Sequence, residues 1–215
     1  MDIILNAIEV RVLGCLMEKE LATPEYYPLS LNALVNACNQ KSNRSPVLSL
    51  DERTVAGGLQ SLKEKHLVRQ SDASRVPKYW HDFVKKHNLI RREAALLCLL
   101  LLRGPQTAGE LRSRTERLCS FDNLEEVFPS LDNLADIGLV TKLPLSPGRK
   151  EQRFAHLLAG EPENVEQVVA RQEPIMIAVT ADTERIAELE KSVAYLKEEM
   201  EVLKNEFLSF KKEFE

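Results

Sequence analysis

At 215 residues, with 44% hydrophobic and 29% charged side chains, the chain has the make-up of a globular protein large enough for one sizeable core or two small ones. No apolar run approaches the ~20 residues that cross a bilayer, and the longest, residues 94–102, reads as a buried helix. The net charge of −4 is unevenly spread: residues 161–215 carry −7, residues 1–87 carry +2 and residues 88–160 carry +1. The near-neutral stretch ahead of the acidic tail falls short of the basic footprint usual in a DNA-binding domain.

In chain order, Asn6 and Glu9 form a capping box for a first helix running to about Glu20. Thr23-Pro24-Glu25 opens a short helical turn, with Pro24 suited to a first helical position. Ser30 caps a second helix through about Gln40, and the polar stretch 41–46 leads to a third helix at about 50–66, with Ser49 and Glu52 as its capping pair. Strands fit 68–70 and 78–84, joined by the turn formers 71–74. Helices then fit 91–103, 107–118 and 123–137, the last with Asp122 and Glu125 as its capping pair. Strands fit 139–143 and 152–158 around a Ser146-Pro147-Gly148 tip. Pro129 inside the 123–137 helix costs about 3 kcal/mol unless that helix kinks or starts late.

These elements form a duplication. Val55, Leu59, Leu62, Leu67 and Val68 recur with identical spacing as Val127, Leu131, Leu134, Leu139 and Val140. Glu9, Leu13, Leu16 and Thr23 recur at one constant offset as Glu93, Leu97, Leu100 and Thr107. Arg75, Lys78, Tyr79 and His81 recur at a second, shorter offset as Lys150, Arg153, Phe154 and His156. The alignment gives the first copy about twelve extra residues between Thr23 and Ser49. Three helices and a hairpin, repeated, predict a mainly α fold with small β-hairpins: tandem winged helix-turn-helix domains at 1–86 and 87–160. An acidic linker follows at 161–181, then a coiled-coil helix at 182–215. In that helix Ile186, Val193, Met200, Phe207 and Phe214 fall at a, and Leu189, Leu196, Leu203 and Phe210 at d. Arg185, Glu199 and Glu206 at g complement Glu190, Lys204 and Lys211 at e, which favours a parallel homodimer over a helix docked on its own chain.

The segments 23–30 (Thr-Pro-Glu-Tyr-Tyr-Pro-Leu-Ser), 37–47 and 102–114 resemble the bacterial YceH-like family. The resemblance covers about residues 3–160, with Ala108 standing where the family's Thr-Pro-Gly-Glu motif has proline. It implies a tandem winged-helix fold in a bacterial cytoplasmic protein and brings no activity or catalytic residue.

Function is therefore read from residues. Between Asp122 and Asp136 stand five acids and no base, so the third helix of the second copy would be repelled by phosphates and suits a protein partner better. The first copy offers Asn39, Lys41, Asn43, Arg44, Arg53, Lys63, Arg75 and Lys78 as candidate DNA contacts. The competing reading makes 39–44 a structured loop whose amides cap neighbouring helices. Gly57 and Gly58 weaken the third helix while allowing close approach to a backbone. No Gly-rich phosphate loop, HExxH or GxSxG motif occurs, and His66, His81, His87 and His156 are scattered, so neither catalysis nor a cofactor or metal is expected. Cys15, Cys38, Cys98 and Cys119 form no CxxC pair and read as core residues. Met1-Asp2-Ile3-Ile4 lacks the basic region of a secretory signal, so a cytoplasmic location is expected. The reading favours DNA binding by a homodimer, with a protein-interaction adaptor as the alternative.

Overall fold

The structure is a computed structural model that describes residues 4–71, 75–145, 151–162 and 200. The acidic linker and the coil seam at Ile186, Leu189, Val193, Leu196, Leu203, Phe207, Phe210 and Phe214 lie outside the described residues. Met200, within a helix, is described.

Among the described residues the fold is mainly helical, with two small antiparallel sheets. Helix α1 spans Ala7–Ala22 and starts at the expected capping box: Asn6 Oδ1 accepts from Ile8 N and Glu9 N, and Asn6 N donates to Glu9 Oε2 at 2.7 Å. A 3₁₀ turn, Pro24–Tyr26, leads to α2, Leu31–Cys38, capped by Ser30. Helix α3 covers Glu52–Glu64; its cap is Asp51, which accepts from Thr54 N at 2.7 Å, in place of the expected Ser49–Glu52 pair. Strands β1 (Val68–Ser71) and β2 (Lys78–His81) pair antiparallel, and the expected strand to Val84 stops early because Phe83 turns into the core and starts a short α4, Phe83–Lys86.

The second copy follows with α5 (Arg91–Arg103), β3 (Gln106–Thr107), α6 (Ala108–Thr115), α7 (Val127–Asp136), β4 (Val140–Lys142) and β5 (Arg153–His156). Thr107 caps α6 reciprocally with Glu110, so Ala108 in place of proline leaves the helix start intact. Helix α7 starts late, without the Asp122–Glu125 box. Pro129 therefore falls in its first turn, where the missing N–H has no intrahelical partner to lose.

The duplication extends to individual bonds. Leu29 bridges Tyr79 in the first copy as Gln106 pairs with Phe154 in the second. Helices α2 and α6 have equal length, Leu31–Cys38 against Ala108–Thr115. The offset between copies therefore shortens in two steps, once between α1/α5 and α2/α6 and again before α3/α7. The extra residues of the first copy are split between the 3₁₀ turn and the loop after α2. The sequence alignment of Thr23 with Thr107 is corrected accordingly: Ser30 is the partner of Thr107.

The described residues up to Pro162 belong to one compact unit, Met1–Pro162. Helices α1 and α5 are buried on every side over Glu9–Glu18 and Glu93–Leu102, as expected of helices at the centre of a shared core. They meet at Gly14, whose Cα would carry a Cβ only 2.9 Å from Leu102 Cδ2. Beside it, Cys98 Sγ donates to Gly14 O at 3.4 Å. Cys15, Cys38 and Cys98 are free and buried, and Cys119 is half-buried. Burial pushes the Cys98 thiol well above its ordinary pKa, which keeps it protonated and inert.

Each copy ties its first helix to its third through one carboxylate. Glu9 accepts from Ser61 on α3, and Glu93 Oε1 from Asn133 Nδ2 on α7 at 3.1 Å; Ser61 and Asn133 hold equivalent positions of the repeat. Glu9 also pairs with Lys65 at 2.6 Å. Burial raises the pKa of Glu9, but the hydrogen bonds from Lys65, Ser61 and the Asn6 amide outweigh burial and hold it below the ordinary value.

Candidate interaction surfaces

The loop after α2 faces inward. Arg44 has no exposed side-chain surface; it donates to Ala37 O from Nε at 3.1 Å and from Nη2 at 2.9 Å, to Asn43 O at 3.0 Å, and to both carboxylate oxygens of Glu18 on α1. Asn39 brackets Leu50, accepting from its N–H at 2.7 Å and donating to its carbonyl at 2.8 Å. Asn43 sits at φ 57°, a region asparagine tolerates better than most, and accepts from Arg103 Nη1 at 3.0 Å. Ser45 N donates to Leu102 O at 2.9 Å, so the loop is stitched to α5 of the second copy. From below, buried Arg11 donates to Cys38 O at 3.1 Å and Pro46 O at 2.6 Å. Three of the eight candidate DNA contacts, Asn39, Asn43 and Arg44, are thereby committed to internal bonds, the arrangement of the structured-loop reading.

The other five are dispersed. Lys41 is exposed at the loop tip and Arg53 on the first turn of α3. Lys63 donates to Gln70 Oε1 at 2.8 Å, bridging α3 to β1. Arg75 is exposed and Lys78 half-buried on the hairpin, where Arg69 pairs with Asp82 and lies over the Trp80 ring. On the exposed face of α3, Gly57 would meet nothing within 4 Å if it carried a Cβ, so that face is smooth and open.

The equivalent face of the second copy differs in kind. Leu124, 37% exposed, and Phe128, 39% exposed, stand among exposed Asp122, Glu125, Asp132 and Asp136. Leu124 also lines a cavity of about 380 Å³ between α6 and residues 120–124, together with Gly109, Arg112, Ser113, Glu116 and Phe121. Arg112 is spent in fixing this wall, donating to Phe121 O at 3.4 Å and Asp122 O at 2.8 Å. Arg92 holds the far side by pairing with Glu126 at 3.0 Å and lying over Phe121. The acidity of this helix is legible in the sequence; the cavity is not, because one of its walls is the irregular segment 120–124, whose path back along α6 no spacing encodes.

The histidines do not converge. His81 is buried with Nε2 2.8 Å from Glu20 Oε2, and Tyr27 Oη accepts from His81 N at 2.8 Å. Burial pushes the Tyr27 phenol well above its ordinary pKa. Burial also lowers His156 to about 4, so it is neutral at physiological pH. His87 stacks on Phe83 at 4.3 Å between ring centroids. Among the described residues no cluster of His, Cys, Asp and Glu could hold a metal, and no helix is long and apolar enough to cross a membrane.

A family profile described as "Protein of unknown function, DUF480" matches residues 5–149. The chain belongs to the DUF480 family. Its relatives in this family carry the name UPF0502 protein. The chain is 56% identical over 208 residues to the one from Solibacter usitatus, covering 96% of this chain and all of the relative. It is 54% identical over 200 residues to the one from Geobacter sulfurreducens, covering 91% of each. With the Pelobacter propionicus protein it shares 50% over 219 residues and the full length of both. The DUF480 match spans the first copy, the clamping loop between α2 and α3, and the second copy as far as β4, ending ahead of β5.

Proposed function

We propose that this protein is a non-catalytic docking scaffold built on tandem winged helices, in which the second copy receives a basic, amphipathic segment of a partner protein. The order helix, strand, helix, helix, then a two-stranded hairpin occurs twice, with the first copy's strand reduced to the Leu29 bridge, and this supports the winged-helix reading expected of YceH-like proteins. The observation that carries the docking role is the face of α7. Leu124 lines a cavity of about 380 Å³ and Phe128 is exposed on the first turn of α7, in a stretch, residues 122–136, that holds no base. A bulky apolar anchor entering a pocket, ringed by complementary charge, is the arrangement that concentrates binding energy at interfaces. Partner capture by two copies at once would follow from dimerisation through the C-terminal heptads, since paired sites gain in effective concentration.

Titration with a lysine-rich amphipathic helical peptide, and with a scrambled peptide of equal charge, tests the proposal. The ordered peptide should bind more tightly, and a Leu124→Asp, Phe128→Asp variant should weaken it by about tenfold or more. Equal binding of both peptides, or an unchanged variant, overturns the docking face.

DNA binding is the second reading, favoured by exposed Arg53 and Arg75 and the smooth surface at Gly57. Its test is affinity for mixed genomic DNA across a salt series, where phosphate contacts make log affinity fall linearly with log salt. An Arg53→Ala, Arg75→Ala, Lys78→Ala variant should then lose both affinity and slope. Absence of binding at low salt removes this reading.

A further inference from the structure

A second cleft, of about 340 Å³, lies between the two copies, where the end of α1, the tip of the clamping loop and the end of α6 meet. We infer that it binds a small phosphorylated ligand bearing a flat apolar portion. Its volume falls in the range of small-molecule sites, about 300–1,000 Å³. Four cationic side chains line it: Lys19, Lys41, Arg114 and Arg117. The lone carboxylate in the lining, Glu18, is hydrogen-bonded through both oxygens to buried Arg44 and lies 4.0 Å from Lys19. Lys41 and Arg117 are exposed and have no ion-pair partner among the described residues, while Arg114 is held in place by Gln106 and by Glu110 at 3.5 Å. The cleft therefore carries more cations than acids in its lining, an arrangement that draws anions to it. Arginine and lysine together, on rigid elements, suit phosphate oxygens.

Part of the lining is apolar: half-buried Ala22 and the edges of buried Leu99 and Leu118. Inorganic phosphate would fill only a fraction of a cleft of about 340 Å³, whereas a nucleotide-like ligand would fill more of it and reach these apolar groups. The wall bearing Lys41 belongs to the loop after α2, which is longer in the first copy than its counterpart in the second. That loop is fixed by Arg11, Arg44 and the Ser45–Leu102 bond, so the site is preformed. A concave pocket of this size takes one small ligand and cannot follow a duplex backbone.

Isothermal titration of the full chain with ADP, pyrophosphate and adenosine tests the inference independently of the docking face. ADP should bind more tightly than pyrophosphate, by about tenfold, and adenosine should give no binding up to ~1 mM. A Lys41→Glu, Arg117→Glu variant, with both changes on exposed side chains, should weaken ADP by about tenfold or more, and circular dichroism should match the parent. The control variant Lys85→Glu, Lys86→Glu makes the same change in net charge on α4, away from the cleft, and should leave ADP affinity unchanged. The inference is overturned if neither ADP nor pyrophosphate binds, if adenosine binds as tightly as ADP, or if the control weakens ADP as much as the cleft variant does.

Discussion

Replacing Arg44 by alanine should unfold the clamp between the copies before it affects any surface property. The guanidinium makes two hydrogen bonds to Ala37 O, one to Asn43 O, one to Gln40 Oε1 at 3.2 Å and a bidentate pair to Glu18, whose side chain is only 12% exposed. Burial opposes the charge on Arg44, but the Glu18 hydrogen bonds outweigh it and hold its pKa above the ordinary value. Removing one member of such a pair leaves a buried charge uncompensated, at a cost of about 3–5 kcal/mol. Residual water at Glu18 places the expectation at the lower end, about 3 kcal/mol, a large share of the roughly 5–15 kcal/mol typical of a folded domain. For a unit of this size, that is a fall in Tm of about 6–12 °C. Urea denaturation of the parent, Arg44→Ala, Glu18→Ala and the double variant gives the coupling. The two single losses should exceed the double loss when added, because the second removal relieves the orphaned charge. A loss below ~1 kcal/mol for Arg44→Ala, or strict additivity, would refute the buried clamp and return Arg44 to the surface.

Gly14→Ala should destabilise by about 1 kcal/mol or more despite its helix-forming advantage, because the new Cβ meets Leu102 at 2.9 Å, while Gly57→Ala, with open space around it, should stabilise by about 0.5–1 kcal/mol; thermal unfolding that gives both the same sign would contradict the α1–α5 contact. The unfolded imidazole takes its proton near 6.5 and the folded His156 only at about 4, so its contribution is complete above pH 6.5 and is lost as pH falls towards 4, at up to about 1.4 kcal/mol per unit. His156→Phe should flatten that slope in denaturant titrations at pH 7, 6 and 5, and an unchanged slope would place the titration elsewhere. Truncation at about residue 180 should weaken self-association measured by light scattering, and unchanged association would locate any dimer contact within the unit Met1–Pro162.

Much of the scaffold can be read from spacing because each copy buries a helical stripe that must recur every three or four residues. Asn6 with Glu9 is legible as a cap because both partners are local. The starts of α3 and α7 are not, since Ser49, Asp51 and Asp122 are all competent caps and the choice among them depends on where the chain enters from the preceding loop. The loop 39–46 is ambiguous for a related reason: asparagine and arginine donate equally well to phosphates and to carbonyls. The deciding signal lies on another helix. Arg11 and Glu18 are charges two turns apart on one buried face of α1, and a buried acid there calls for a cation, which Arg44 of the loop supplies. The cleft has no such local signature, because it is assembled from elements far apart in sequence; the cavity of residues 109–124 is local, but its opening depends on how the loop after α6 turns back on that helix.

The duplication bears on the proposed docking role. At one constant offset, the inward positions of α3 and α7 keep their character: Val55 and Val127, Leu59 and Leu131, Leu62 and Leu134 are all buried. The outward positions do not. Arg53 becomes Glu125, Ala56 becomes Phe128, Gln60 becomes Asp132 and Lys63 becomes Ala135. Lys65, which neutralises Glu9, becomes Ile137, which is 50% exposed. Drift on a solvated face would leave its charge mixed and its apolar groups scattered. Here one face keeps its cations and glycines, while the other gains acids, an aromatic ring and a neighbouring cavity. The core required no such difference, since the inward positions of both copies are buried apolar residues. Under the proposed docking role, the two unlike faces would serve two partners of different chemistry.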